Sequence, residues 1–348
     1  MRARRSRRSC SCSRSSARTI RSSSRFRTDR GDDIVNRARV PASLFSIVLG
    51  LSGLGQSWRV AVRLWHAPAV AGEAVLAAAT LVWGALVLAY GAHALRDPAR
   101  VADEFAHPVG GATPALIGIS TFLIAQAVLP YSRPLAWLLT IAGIAWHLAF
   151  AVWHTGRLWQ GGREIADTAP TIYLPTVAGN FTGAAALGAL GAADWAWLLL
   201  GAGVFSWLAL EPLVIRRLWH REPMPVAERP LVGIQFAPPV VCAAAVLAVE
   251  PGSTDRWLVM LLGYGLFQLL VGLRLKSWLG AQPFAYSWWA YSFGVASGTL
   301  ACVKLALAGV PVAHALALPM FVGANLFIGY LCVRSLACLA LARTTVSS

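Results

Sequence analysis

Charge is scarce in this chain: 13 % of its 348 residues are Asp, Glu, Lys or Arg, against 57 % hydrophobic. That balance excludes a soluble domain of this length. Long polar stretches are missing beyond the first 40 residues, so no sizeable extramembrane domain is encoded, and any chemistry has to happen within a bilayer. The six cysteines, Cys10, Cys12, Cys242, Cys302, Cys332 and Cys338, have neither disulfide-framework nor metal-ligand spacing. No P-loop or dinucleotide-binding glycine pattern stands beside a plausible strand. The sequence therefore carries no expectation of an enzyme, a metal or a cofactor.

The net charge of +15 is concentrated in one place. Residues 1–40 hold 13 Arg and 3 Asp, a net +10, and the rest of the chain holds only +5. This distribution argues against a nucleic-acid partner. The Arg- and Ser-rich tail is too polar to build a core and reads as a disordered segment. It lacks the apolar stretch of a secretory signal. Its composition suits a transit peptide, a basic segment on anionic lipid, or an over-long start assignment, since no second Met precedes Met224.

What the chain does have is a ruler. Arg96, Arg157, Arg216, Arg274 and Arg334 recur at intervals of 61, 59, 58 and 60 residues, each closing a long apolar stretch. A membrane helix needs about 20 apolar residues, so each unit holds two spans and two short connections. The sequence predicts an all-α membrane protein of ten spans, near 41–65, 70–95, 110–130, 133–158, 172–191, 194–218, 230–249, 254–278, 284–308 and 312–341. These form five helical hairpins with quasi-fivefold symmetry within a transmembrane domain of residues 41–343, followed by a short tail, 344–348. Twelve cations, the five ruler arginines among them, lie where even-numbered spans end, and only Arg59, Arg63, Arg133, Arg256 and Lys304 lie toward the other face. The positive-inside rule then places both termini in the cytoplasm, with the protein in the plasma or inner membrane.

Odd and even spans differ in kind. Even spans carry bulky residues, among them Trp83, Trp137, Trp146, Trp153, Trp195, Trp197, Trp207 and Trp257, as a lipid-facing wall would. Odd spans collect small, hydroxyl and helix-breaking residues, with Pro41, Pro114, Pro175 and Pro238-Pro239 in or at the start of spans one, three, five and seven, and Gly294 in span nine. Recurrent prolines predict kinks, whose freed carbonyls are tolerated only inside protein or along a cavity. Five such inner helices, packed about 8–10 Å apart, leave an opening of about 2–3.5 Å radius. That size suits a small ion. The pore-lining or kink candidates are Ser46, Gly50, Pro114, Pro175, Asn180, Pro238, Ser292 and Gly294. An aromatic of the run Trp288–Gly294 could close the passage, and Arg59, Arg63 and Lys304 are candidate charges at its mouth.

Other constellations are weaker. His147 and His154 share a face of span four without the third ligand that metal or haem would want. Glu211 reads either as an ion pair with Arg216 or as an intramembrane proton-coupling site. Asn180-Phe181-Thr182 matches a glycosylation sequon but lies inside a span.

Several stretches resemble a known family: Pro41 to Trp58, Glu104-Phe105-Ala106-His107-Pro108, Trp159 to Gly162, Tyr173-Leu174-Pro175 through Thr182, Glu211-Pro212, Ala237-Pro238, Gly263-Tyr264-Gly265 and Trp289 to Gly294. In order, over about residues 38 to 340, they are similar to the family of bacterial TehA tellurite-resistance proteins, slow-type anion channels and C4-dicarboxylate (malic acid) transporters. The resemblance implies a homotrimer in the lipid bilayer that passes small inorganic or carboxylate anions through proline-kinked inner helices. It also implies a phenylalanine plug in the ninth helix. The matching position is Phe293, with Tyr291 as the competing choice. Two rival functions stay open: a proton-coupled secondary transporter or exporter of C4-dicarboxylates or tellurite, using Glu211 or His147, and a haem or redox protein.

Overall fold

The computed structural model describes residues 40–220 and 222–344, with side chains up to residue 341. What the sequence suggests for the basic tail through residue 39 and for residues 345–348 lies outside the described residues. Helix is the only regular secondary structure among the described residues. The frame consists of α1 (Ser46–Trp65), α2 (Ala69–Arg96), α3 (Ala115–Val128), α4 (Arg133–Trp159), α5 (Gly179–Ala189), α6 (Ala193–His220), α7 (Ala237–Val249), α8 (Arg256–Arg274), α9 (Ala290–Leu307) and α10 (Pro311–Thr344).

Among the described residues, eight stretches are long and apolar enough to cross a membrane. The sequence predicts ten; α1 and α5 are the two that fall short. The last 14 residues of α1, SGLGQSWRVAVRLW, are diluted by Ser, Gly, Gln and two arginines. The fifth stretch is broken into pieces: a 3-10 turn at Pro170–Ile172, a π-helical segment at Leu174–Ala178, and only then the 11-residue α5.

Even-numbered helices run unbroken from end to end, whereas every odd one has a lead-in of another helix type. Ala42–Phe45 precedes α1, Gly110–Ala112 precedes α3, Val226–Phe236 precedes α7 and Tyr286–Trp289 precedes α9, all as 3-10 helix. Proline explains most of these breaks, because it has no N–H to give to the preceding turn. Pro41 stands before the first lead-in, Pro114 caps α3, Pro175 lies in the π segment and Pro238 is in the first turn of α7. The kinks that the sequence predicts along the spans are, in the structure, changes of helix type near helix starts.

The two kinds of helix are buried differently. In α2, α4, α6, α8 and α10 only 17–28 % of the most apolar window is covered by the rest of the chain, whereas in the stretches containing α3, α7 and α9 the share is 83 %, 94 % and 67 %. Most of the even-span tryptophans are at least one-third exposed, as a lipid-facing wall requires. Trp207 is the correction: it is 7 % exposed and turned inward. Each odd helix packs against the even helix that follows it. The odd helices also touch one another in a closed cycle, α1 to α3 to α5 to α7 to α9 and back to α1. Among the described residues no odd helix makes an extensive contact with one that is not its neighbour in that cycle.

At the opposite end from the lead-ins, tight turns join each odd helix to its partner. His66 (φ 53°) ends α1, and Gly191, Gly252 and Gly309, with φ of 84°, 86° and 91°, follow α5, α7 and α9. Glycine suits these left-handed positions because it has no Cβ to clash.

Candidate functional site

The candidate site is the space inside the cycle of odd helices, and α9 carries the candidate plug. Its neighbours can be placed around it from contacts. Ser292 and Ala296 sit where a Cβ on Gly50 or Gly53 of α1 would collide with them. Gly294 lies against the backbone of Phe236 and Ala237 at the start of α7, and Gly298 against Val240 of α7. Thr299 Oγ1 and Cys302 Sγ donate to the carbonyls of Met320 and Ala313 in α10, at 3.3 and 3.4 Å.

At about 100° per residue, with Ser292 as origin, α1 lies near about 20°, α7 near about 220° and α10 near about 310°. The arc between α1 and α7 is left uncovered by these three neighbours. Phe293, Ser297, Leu300 and Lys304 fall within it, at about 80–140°. Tyr291 falls at about 260°, on the other side. There its ring packs on Gly233 and lies 5.9 and 6.0 Å from the rings of Phe236 and Trp288. Phe293 is 6 % exposed.

The remaining pore-lining or kink candidates divide into seam and junction residues. Gly50, Ser292 and Gly294 occupy the seams between neighbouring inner helices, where small size lets backbones approach. Ser46 Oγ donates to Ser43 O at 2.6 Å, closing the junction into α1. The carbonyl of Pro114 accepts the Trp146 indole N–H at 3.0 Å. Comparable indole bonds run from Trp83 to Thr121, Trp58 to Asn325 and Trp289 to Ser335, each tying an inner helix or its lead-in to the outer layer. Asn180 is turned to the outer layer as well: its Oδ1 lies 3.0 Å from His147 Nε2, and its Nδ2 donates to Thr176 O at 2.6 Å. A Cβ on Gly179 would strike the His147 ring, so this glycine makes room for the contact. His154 stacks on Phe150, with 5.6 Å between ring centroids. Among the described residues no cluster of His, Cys, Asp or Glu could hold a metal ion.

Of the three mouth charges, Arg59 is neutralised where it stands. Its guanidinium meets both Glu73 oxygens at 2.7 Å and donates to the carbonyls of Gln126 and Ala127 at the end of α3. Tyr131 donates to the same carboxylate at 2.6 Å, and this bond raises its phenol above the ordinary tyrosine value. Arg63 is exposed in the last turn of α1. Lys304 Nζ donates to Leu247 O at the end of α7, at 3.3 Å.

Glu211 departs furthest from expectation. Among the described residues the ion pairs are Arg59–Glu73 and Arg100–Asp97, so the expected pair with Arg216 is absent. Five neutral donors converge on the carboxylate instead. Tyr173 Oη (2.7 Å) and Trp207 Nε1 (2.8 Å) meet one oxygen, and Gln235 Nε2 (2.8 Å), Tyr264 Oη (2.8 Å) and Gln268 Nε2 (3.3 Å) meet the other. The donors come from the approach to α5, from α6, from the lead-in of α7, and from α8. Glu104 has a smaller version of this role: it accepts the Ala42 N–H at 2.8 Å and Tyr90 Oη at 3.1 Å, capping the approach to α1.

A family model described as voltage-dependent anion channel matches residues 39–336. The chain belongs to this family. It is also 35 % identical, over 262 residues, to the tellurite resistance protein TehA homolog of Haemophilus influenzae, an alignment covering 74 % of this chain and 79 % of that protein. Membership in the voltage-dependent anion channel family, with eight stretches among the described residues long and apolar enough to cross a membrane, makes the chain an integral membrane protein. Its family is one of transport proteins, not of enzymes.

Proposed function

We propose that this protein is a passive small-anion channel, its passage running inside the cycle of odd helices and closed by the side chain of Phe293. The reading takes α1 to α10, with their lead-ins, as ten spans in five hairpins of quasi-fivefold arrangement. Both termini lie in the cytoplasm of a cell bounded by this inner membrane, because in the sequence twelve cations fall where even-numbered spans end and five toward the other face. Three copies assemble, as the resemblance implies.

One observation carries the gate. Phe293 occupies the face of α9 that α1, α7 and α10 leave open, and Tyr291 does not. A ring filling an opening of about 2–3.5 Å radius leaves no room for an ion. All five inner helices begin at the same end, so the positive ends of their dipoles converge there and favour anions entering from the cytoplasm. The tellurite-resistance name of the relative fits this chemistry, tellurite being one more small oxyanion.

The test is electrical. Phe293→Ala protein in liposomes should carry at least about tenfold more anion current than the parent, reversing at the anion Nernst potential with no proton gradient. Unchanged current from correctly inserted protein removes the gate. Current that needs a proton gradient replaces the channel with a coupled transporter of C4-dicarboxylates or tellurite. Reversal potentials in chloride, nitrate and malate then rank the anions.

A further inference from the structure

Three cations near the turn end bond to carbonyls that close inner helices, and they are not equivalent. Arg59 does so at α3 while paired with Glu73. Arg133 donates to Leu190 O beyond α5, at 2.6 Å, from the first turn of an outer helix. Lys304 reaches Leu247 O from the inner helix α9 itself. It lies eleven residues beyond Phe293, three helical turns or about 16 Å along the axis, on the same uncovered face.

We propose that Lys304 is an anion-binding position in the outer half of the passage, holding a small monovalent anion such as chloride or nitrate and setting anion-over-cation selectivity. The proposal rests on the passage reading above. An ammonium carries three N–H donors, and Leu247 O accepts one, at a distance that makes a weak bond. Among the described residues no carboxylate pairs with it. Intramembrane cations pair with carboxylates or backbone carbonyls or face a water-filled cavity; with one weakly bonded carbonyl and no carboxylate here, an anion in the passage supplies the counter-charge. The Leu247 carbonyl belongs to the negative end of α7, so the same contact that anchors the ammonium keeps it from folding away toward the outer layer. Lysine presents a compact point charge, not a planar fork, which suits small anions without a carboxylate plane to match.

The competing explanation is a purely structural cap on α7, and substitutions separate the two. Full-length Lys304→Gln keeps a donor for Leu247 O and removes the charge; Lys304→Arg keeps the charge. Both are read in liposomes, in the parent and in the Phe293→Ala background. In that background Lys304→Gln should lower the chloride-over-potassium permeability ratio at least about fivefold and raise the half-saturating chloride concentration, with Lys304→Arg near the parent. If Phe293→Ala conducts and Lys304→Gln leaves both quantities unchanged, the anion site is overturned and the gate stands. If Phe293→Ala carries no new current, the passage reading fails and takes the Lys304 site with it. If Lys304→Gln fails to insert while Lys304→Met inserts, permeation in Lys304→Met decides by the same criteria, and failure of both while Lys304→Arg inserts overturns the proposal in favour of the structural cap.

Discussion

Two carboxylates near the starts of the inner helices and three cations near their ends make contrasting contacts. Where those helices begin, carboxylates hold the chain: Glu104 takes the Ala42 N–H, and Glu211 gathers donors from the approaches to α5 and α7. Where they end, cations hold it: Arg59 on the last carbonyls of α3, Arg133 on Leu190 after α5, Lys304 on Leu247 in α7. Helix starts expose N–H groups and carry partial positive charge, and helix ends expose carbonyls and carry partial negative charge. A carboxylate meets a backbone N–H at the start of α1, and cations meet carbonyls at the ends of α3, α5 and α7; Glu211 instead gathers side-chain donors, and the charged groups differ in how each is itself compensated. Glu211 is surrounded by neutral donors, Arg59 by a carboxylate, and Lys304 by neither.

The largest stability effect should come from breaking the start end at Glu211. Glu211→Ala orphans five donors, most of them buried, and each buried orphan costs about 1–3 kcal/mol. The sum is comparable with the whole stability of a marginal protein, so the variant should fail to accumulate as monodisperse protein in detergent. The measurement is the temperature at which the buried thiols of Cys242 and Cys302 become reactive to a dye. Glu211→Gln sharpens the result. It keeps one acceptor oxygen but turns an NH2 toward existing donors, so it should fold with a lowered midpoint. If it folds normally and loses only proton-dependent transport, Glu211 is a proton carrier and the channel reading is wrong.

Breaking the turn end at Arg59 should cost less. Arg59→Met removes the pair with Glu73 and leaves the Gln126 and Ala127 carbonyls to water or to nothing. The partners' side chains are 18 % and 36 % exposed, so solvent screens much of the pair. A loss of about 1–2 kcal/mol is expected, read as a modest drop in the same thiol-exposure midpoint. Glu104→Ala should cost about 1 kcal/mol, the usual worth of a helix-start acceptor. A drop for Glu104→Ala as large as that for Glu211→Ala would end the distinction between a local cap and a four-element hub.

The parity of the helices was legible in the sequence, because it rests on composition: tryptophan and long apolar runs outside, glycine and proline inside. Helix bounds followed closely wherever a helix is continuous, as in Arg133–Trp159 and Ala69–Arg96. The composite fifth stretch was not legible, since a proline announces a break without saying which helix type fills it. The partners of Glu211 were hidden for a different reason. Tyr173, Gln235, Tyr264 and Gln268 lie 24 to 57 residues away, and no spacing rule connects them. Arg216 was the wrong partner by helix geometry: five residues on is about 140° around the axis, whereas residues three and four apart are neighbours. Trp207, four residues before Glu211, obeys that rule, and its indole does reach the carboxylate. Asn180 reads as pore-lining because it is polar on an inner helix; the buried His147 beside Gly179 draws it to the outer layer.

The smallest effect tests how far the turn-end network extends into solvent. Tyr131 is exposed and donates to Glu73 beside Arg59, a bond that raises its phenol above the ordinary value of about 10. The folded state therefore holds that proton more tightly than the unfolded chain. The associated stability is fully present below the unfolded value and is lost as pH rises through the folded one. Tyr131→Phe should accordingly match the parent closely at neutral pH, with a slightly lower thiol-exposure midpoint, and the gap should close as pH climbs past about 10. A gap that persists or widens at high pH would mean that the ring's packing under Arg59, whose guanidinium lies 6.0 Å from the ring centroid, matters more than the hydroxyl.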